Sequence, residues 1–140
     1  MHFKEEFKKL SNTINDLEEK ITLKHAEICE LIIKKNKNLK IDLIGFHGQT
    51  ILHRPEKGYS IQIGNAKKLY EITKTIVISN FRQNDILNGG QGAPLASLYH
   101  HLILLKTKSI LPSAVINIGG ISNITYSKNQ KKIISFDTGP

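Results

Sequence analysis

Residues 113–137, SAVINIGGISNITYSKNQKKIISFD, decide how this chain is read. Three runs rich in β-branched residues, SAVINIGG, ISNITYS and KKIISFD, are separated by two tight turns, which predicts a three-stranded meander. The last run carries an acid, Asp137, into Thr138, Gly139 and Pro140. Three strands with apolar faces need a covering layer. This stretch supplies none, so residues 113–140 are expected to open a second lobe whose remainder lies elsewhere.

Upstream the pattern differs. Phe3, Phe7, Leu10, Ile14, Leu17 and Ile21 recur at a four-three spacing that places them on one side of a helix over residues 2–20, interrupted near Ser11-Asn12. Thr22 is expected to cap a second helix that turns Ala26, Ile28, Leu31 and Ile32 inward, and the polar stretch from Lys34 to Lys40 ends it. Residues 1–40 thus read as a helical N-terminal segment. Residues 41–112 read as an α/β portion. IDLIGFHG is a buried strand entering a glycine turn, and TILH and YSIQIG form a hairpin around Pro55 and Gly58. NAKKLYEITK is a helix capped by Asn65, and TIVISNF is a strand. NDILNGGQGAP is a loop, and Pro94 suits the start of the helix ASLYHHLILL.

Composition narrows the partners. The net charge of +8 is almost all lysine spread along the chain, with Arg54 and Arg82 the only arginines. Readers of nucleic acid cluster arginine and interleave aromatics, so the basic balance reads as a solvated surface and no nucleic-acid partner is expected. No apolar run approaches the roughly 18 residues that span a bilayer. MHFKEEFKK is not a secretory signal. A cytoplasmic location without membrane contact follows. Cys29 is the only cysteine, which excludes an internal disulfide and a thiolate metal cluster, and its place in an apolar helical pattern makes it a packing residue.

Four places could carry chemistry. Gly119 and Gly120 permit positive φ and the close approach of a ligand, so their amides could face a phosphate oxygen; a plain hairpin turn explains the pair equally well. His47 and Gln49 sit on a glycine-flanked bend where a strand ends, the usual place for a site in an α/β sheet. His53 follows six residues later, but two histidines without a nearby carboxylate make no metal site. Arg82 and Asp85 could face one cleft, as a forked donor and a hydroxyl acceptor, or could form an ion pair that fixes a loop. The neighbouring GGQG offers backbone amides together with the Gln91 side chain, which suits a hydroxyl-rich or anionic small molecule. Asp137, at a strand end beside glycine, could take a proton from an attacking oxygen in a phosphotransferase.

In order and spacing, GFHGQTILHRP, SIQIGNA, VISNFRQNDILNGGQGAPLASLYHH, VINIGGISNIT and SFDTGP together resemble the anhydro-N-acetylmuramic acid kinase family. The resemblance covers about residues 40–140 and, more loosely, TLKHAEICELI from Thr22. It implies a ribonuclease H-like lobe of the actin, hexokinase and Hsp70 type, with residues 41–112 on the sugar side and the start of a second lobe after them. It also implies ATP and magnesium as cofactors, opening of the 1,6-anhydro ring of anhydro-N-acetylmuramic acid, and phosphorylation of O6 to give N-acetylmuramic acid 6-phosphate in peptidoglycan recycling. In that scheme Asp137 matches the catalytic aspartate of the FDTGP motif, and Asn117, Gly119 and Gly120 match the phosphate-facing hairpin. His47, Gln49, Arg82, Asp85 and Gln91 fall in motifs on the sugar side. Nothing before residue 40 resembles the family's glycine-rich ATP loop, Asn80 stands where an aspartate is usual, and Leu87-Asn88 replace two small residues. The expectation is therefore no turnover by this segment alone, with a separately encoded segment or a homo-oligomer completing it. The alternative is a non-catalytic remnant or sugar-binding module without ATP chemistry.

Overall fold

The computed structural model describes residues 2–139, with side chains from Ser11 onward. The expected apolar positions Phe3, Phe7 and Leu10 therefore lie outside the described side chains. The chain divides into two units, Met1–Asn84 and Asp85–Pro140.

The first unit begins with a single helix, α1 (His2–Lys35), where two were expected. No glycine or proline interrupts the stretch, and Thr22 is not a cap. Its hydroxyl donates back to the Glu18 carbonyl at 2.7 Å and accepts the Asn65 backbone N–H at 2.9 Å, so it lies fully buried inside the helix. This back-bonding lets a threonine occupy a helix interior. Glu18 Oε1 accepts the Gly64 N–H at 3.1 Å, so two side chains about one helical turn apart on α1 hold the neighbouring amides of Gly64 and Asn65. The inward stripe is Thr22, Ala26 and Cys29; Ile28, Leu31 and Ile32 are exposed, contrary to expectation. Small residues face the contact because α1 docks closely against its neighbours.

Those neighbours follow the sequence signals closely. β1 (Leu43–Phe46) pairs in parallel with β4 (Ile76–Ser79), from Leu43↔Ile76 to Phe46↔Ser79. β2 (Gln49–Arg54) and β3 (Tyr59–Ile63) form the expected antiparallel hairpin, joined by a single 3₁₀ turn at Pro55–Lys57 and by Gly58 at φ 81°. α2 (Ala66–Thr73) is capped by Asn65, whose side chain accepts the Lys68 N–H at 2.9 Å. Ala26, Phe46 and Leu69 form the buried core, with Cys29, Ile44, Ala66, Ile72 and Val77 packed around it. Gly64, at φ 140°, leaves room for the Phe46 ring, which would lie 2.6 Å from an added Cβ. The His25 ring meets Phe46 edge-on at 5.0 Å.

Phe81, expected to end a strand, and residues 84–87, expected as loop, instead belong to the short helix α3 (Phe81–Leu87). Its end is closed by the Gly89 N–H to the Ile86 carbonyl and by the Gly90 N–H to the Asp85 carbonyl, at 3.0 and 2.8 Å. Glycine-rich sequence here terminates a helix rather than preventing one.

The second unit holds α4 (Ser97–Lys106) and the antiparallel sheet β5 (Ser113–Asn117), β6 (Ser122–Asn129) and β7 (Lys132–Gly139), the expected meander. Pro94 lies three residues before α4, and its carbonyl accepts the Ser97 hydroxyl at 3.0 Å. Strand alternation puts Thr125 and Ser127 on the face that α4 covers, and both are fully buried. His100 Nδ1 lies 2.9 Å from the Thr125 hydroxyl. His101 Nε2 donates to the Gln130 carbonyl at 3.1 Å, and in the neutral ring Nδ1 then accepts the Ser127 hydroxyl. On the opposite face Ile116 and Phe136 are 64% and 52% exposed. The whole is a mixed α/β chain of helices and small sheets.

Candidate functional site

In the first unit the carboxyl ends of the parallel strands β1 and β4 bring His47 and Arg82 together. His47 follows β1 and Arg82 follows β4 by one turn of chain. Gly48, at φ 68°, is needed for the bend, since a Cβ there would lie 2.4 Å from the Ile63 carbonyl oxygen. His47 Nδ1 lies 2.9 Å from the Gly48 carbonyl, which can only accept, and Arg82 Nε donates to His47 Nε2 at 3.0 Å. Both contacts require the neutral imidazole with its proton on Nδ1. His47 thus acts on Arg82, fixing the plane of the guanidinium fork. Asn80 holds φ 59°, a left-handed conformation that asparagine tolerates better than most residues. Gln49, exposed at the start of β2, donates weakly to the Thr50 carbonyl at 3.4 Å.

In the second unit Asp85 organises the loop that follows it. Its Oδ2 accepts the Gly92 N–H at 2.7 Å, and its carbonyl accepts from Asn88 and Gly90. A Cβ at Gly90 would fall 2.2 Å from the same carboxylate oxygen. The loop amides of Gly89, Gly90 and Gly92 are therefore turned inward onto Ile86 and Asp85, whereas the sequence suggested that they face outward to a ligand. What the loop does present is a cavity of about 430 Å³ lined by Asp85, Gln91, Pro94, Ser97 and Ser135 among others. Ser97 and Ser135 carry no motif signal; they line the cavity because α4 and β7 place them there.

The sheet presents the remaining candidates as a row. Asn117 pairs with Asn123, and Asn123 pairs with Asp137. Residues directly opposite in antiparallel strands project from the same face, here the face that carries Ser135 into the cavity. Asp137 is exposed and makes no ion pair among the described residues. Gly119 and Gly120 lie in the turn after β5 and do not use the positive φ that glycine permits. A Cβ at Gly120 would meet nothing within 4 Å, and one at Gly119 only the Ile121 carbonyl at 3.7 Å. The chain's own packing therefore does not demand these glycines, and the backbone there is open to approach. Asn123 was the residue missed in this row: locating it required knowing that the β5–β6 pairing is centred on Gly120. Among the described residues no group of three or more His, Cys, Asp or Glu side chains could hold a metal ion. None of the described helices is long and apolar enough to cross a membrane.

A sequence model of the anhydro-N-acetylmuramic acid kinase family matches residues 4–140. The match therefore includes nearly all of α1, where the sequence motifs extended only to Thr22. Among curated proteins, the chain is 52% identical over 132 residues to the anhydro-N-acetylmuramic acid kinase of Pelagibacter ubique, covering 93% of this chain and 35% of that protein. It is 40% identical over 127 residues to that of Rhodopseudomonas palustris, covering 89% and 35%. With that of Zymomonas mobilis the figures are 43% over 123 residues, covering 86% and 33%. The chain spans about a third of the length of these curated relatives.

Proposed function

The chain belongs to the anhydro-N-acetylmuramic acid kinase family, and from that premise we propose that it carries the sugar side and the catalytic aspartate of an ATP-dependent sugar kinase. The observation that supports this most is the exposed Asp137, set in a polar row beside a glycine turn with an open backbone. A carboxylate without a structural partner at a strand end is suited to hold a proton. In the proposed reaction Asp137 takes the proton of a water whose oxygen attacks the anomeric carbon of the 1,6-anhydro sugar. The bond from that carbon to O6 breaks, and O6 becomes the acceptor of the phosphoryl group.

Asn117, Gly119 and Gly120 are assigned to the nucleotide phosphates, which the open backbone around the two glycines fits. ATP would supply the phosphoryl group, and magnesium, bound to its phosphates and to water more than to protein, would offset their charge. Arg82, oriented by His47, is assigned with Gln49 to the sugar, and so are Asp85 and Gln91 at the cavity. The proposal extends to a fold of the actin, hexokinase and Hsp70 type, in which residues 41–112 belong to the first lobe and 113–140 open the second, and to a cytoplasmic setting.

Because this segment alone is expected not to turn over, the reading is tested by ADP release from ATP on addition of anhydro-N-acetylmuramic acid to the segment joined to the remaining portion of the Pelagibacter ubique relative. Sugar-dependent release is expected to fall by about a hundredfold or more in Asp137→Asn, the usual scale of general-base loss. Release that survives the substitution contradicts the assignment. Saturable sugar binding without ADP release would instead favour a sugar-binding module.

A further inference from the structure

We propose that Asn123 is a ligand-positioning residue beside Asp137, its carboxamide oxygen kept for a hydroxyl or water donor; the inference rests on the reading of Asp137 given above. Asn123 lies on β6 between Asn117 and Asp137, all three on one face of the sheet. Its Oδ1 is buried and has no hydrogen-bond partner, and no other buried side-chain nitrogen or oxygen among the described residues is left so. The next two residues on that face show how the fold treats buried polar groups elsewhere. Thr125 and Ser127 are fully buried, and each meets a histidine of α4. The fold therefore supplies partners along this face and withholds one at the position beside Asp137.

An unpaired buried acceptor destabilises a protein, whereas an apolar group of similar shape in its place is neutral or favourable. Packing alone thus gives no reason for asparagine at 123. A carboxamide oxygen only accepts, so what completes it is a donor. Nucleotide phosphate oxygens are acceptors at neutral pH and do not serve. The hydroxyls of a sugar, or the water that Asp137 is proposed to deprotonate, do. Asn123 would then fix the position of that hydroxyl or water next to the carboxylate, without itself taking the proton.

Two measurements on the 140-residue chain test this. In Asn123→Leu the melting temperature is expected to hold or rise while affinity for anhydro-N-acetylmuramic acid falls at least tenfold. A residue that serves only the fold would give the opposite pair, a lower melting temperature with unchanged affinity, and that result overturns the proposal. In the unsubstituted, ¹⁵N-labelled chain, the Asn123 side-chain amide resonances are expected to move on addition of the sugar and to stay in place with inorganic phosphate. Resonances that ignore saturating sugar overturn it even if the leucine variant does not fold. Equal sugar affinity with and without Asn123 refutes this residue alone, whereas no sugar binding by the unsubstituted chain refutes the functional reading together with it.

Discussion

The two units are held together by different physics. Met1–Asn84 owns an apolar core in which Ala26, Phe46 and Leu69 are buried and helices meet through small residues. Asp85–Pro140 buries, among its described residues, one large apolar side chain, Ile86, and fastens α4 to its sheet through His100–Thr125 and His101–Ser127 instead. Its apolar residues are largely on the outside, with Ile116, Ile134 and Phe136 along one sheet face. Apolar burial resists change in proportion to area, whereas a few polar ties concentrate stability in single hydrogen bonds. The proposed catalytic row stands on the second kind of scaffold.

The sharpest contrast should come from the core of the first unit. Leu69 has no exposed surface, and Leu69→Ala is expected to cost about 2–5 kcal/mol in chemical denaturation. A loss well below that would mean that the first unit does not rest on this core. A smaller effect is expected at the polar ties. Ser127→Ala leaves His101 Nδ1 buried without its donor, at a cost of about 1–3 kcal/mol. The loss should appear as faster amide exchange in β6 and β7, with α1 and α2 unchanged; a uniform increase over both units would erase the distinction between them. The smallest effect belongs to the outer sheet face. Phe136→Ser should leave stability within about 0.5 kcal/mol and reduce self-association in analytical ultracentrifugation, because a half-exposed ring contributes more to association than to folding.

Much of this was legible in the sequence, wherever the signal is local. The Pro55–Gly58 hairpin, the Asn65 cap and the three closing strands depend on turn chemistry and period-two patterning within a few residues. The misreadings arose where a distant partner decides. Thr22 looks like a cap until the Asn65 N–H arrives 43 residues later to occupy its hydroxyl. Ile28, Leu31 and Ile32 look like a buried stripe because hydrophobicity alone cannot say that α1 docks through Thr22 and Ala26. α3 was hidden by the glycines that close it. In the candidate site, His47 and Arg82 were each identifiable, but their contact is fixed by the parallel pairing of β1 and β4. Asn123 was hidden by register. A turn centred half a residue away would have paired Asn117 with a different neighbour, and a one-residue slip exchanges the two faces of a strand.

The most direct test of the central claim follows the Asp137 carboxyl carbon by ¹³C NMR while anhydro-N-acetylmuramic acid is titrated into the chain. The account predicts a saturable shift of that resonance as the sugar binds. An Asp137 signal that stays fixed while the sugar saturates its site would contradict it.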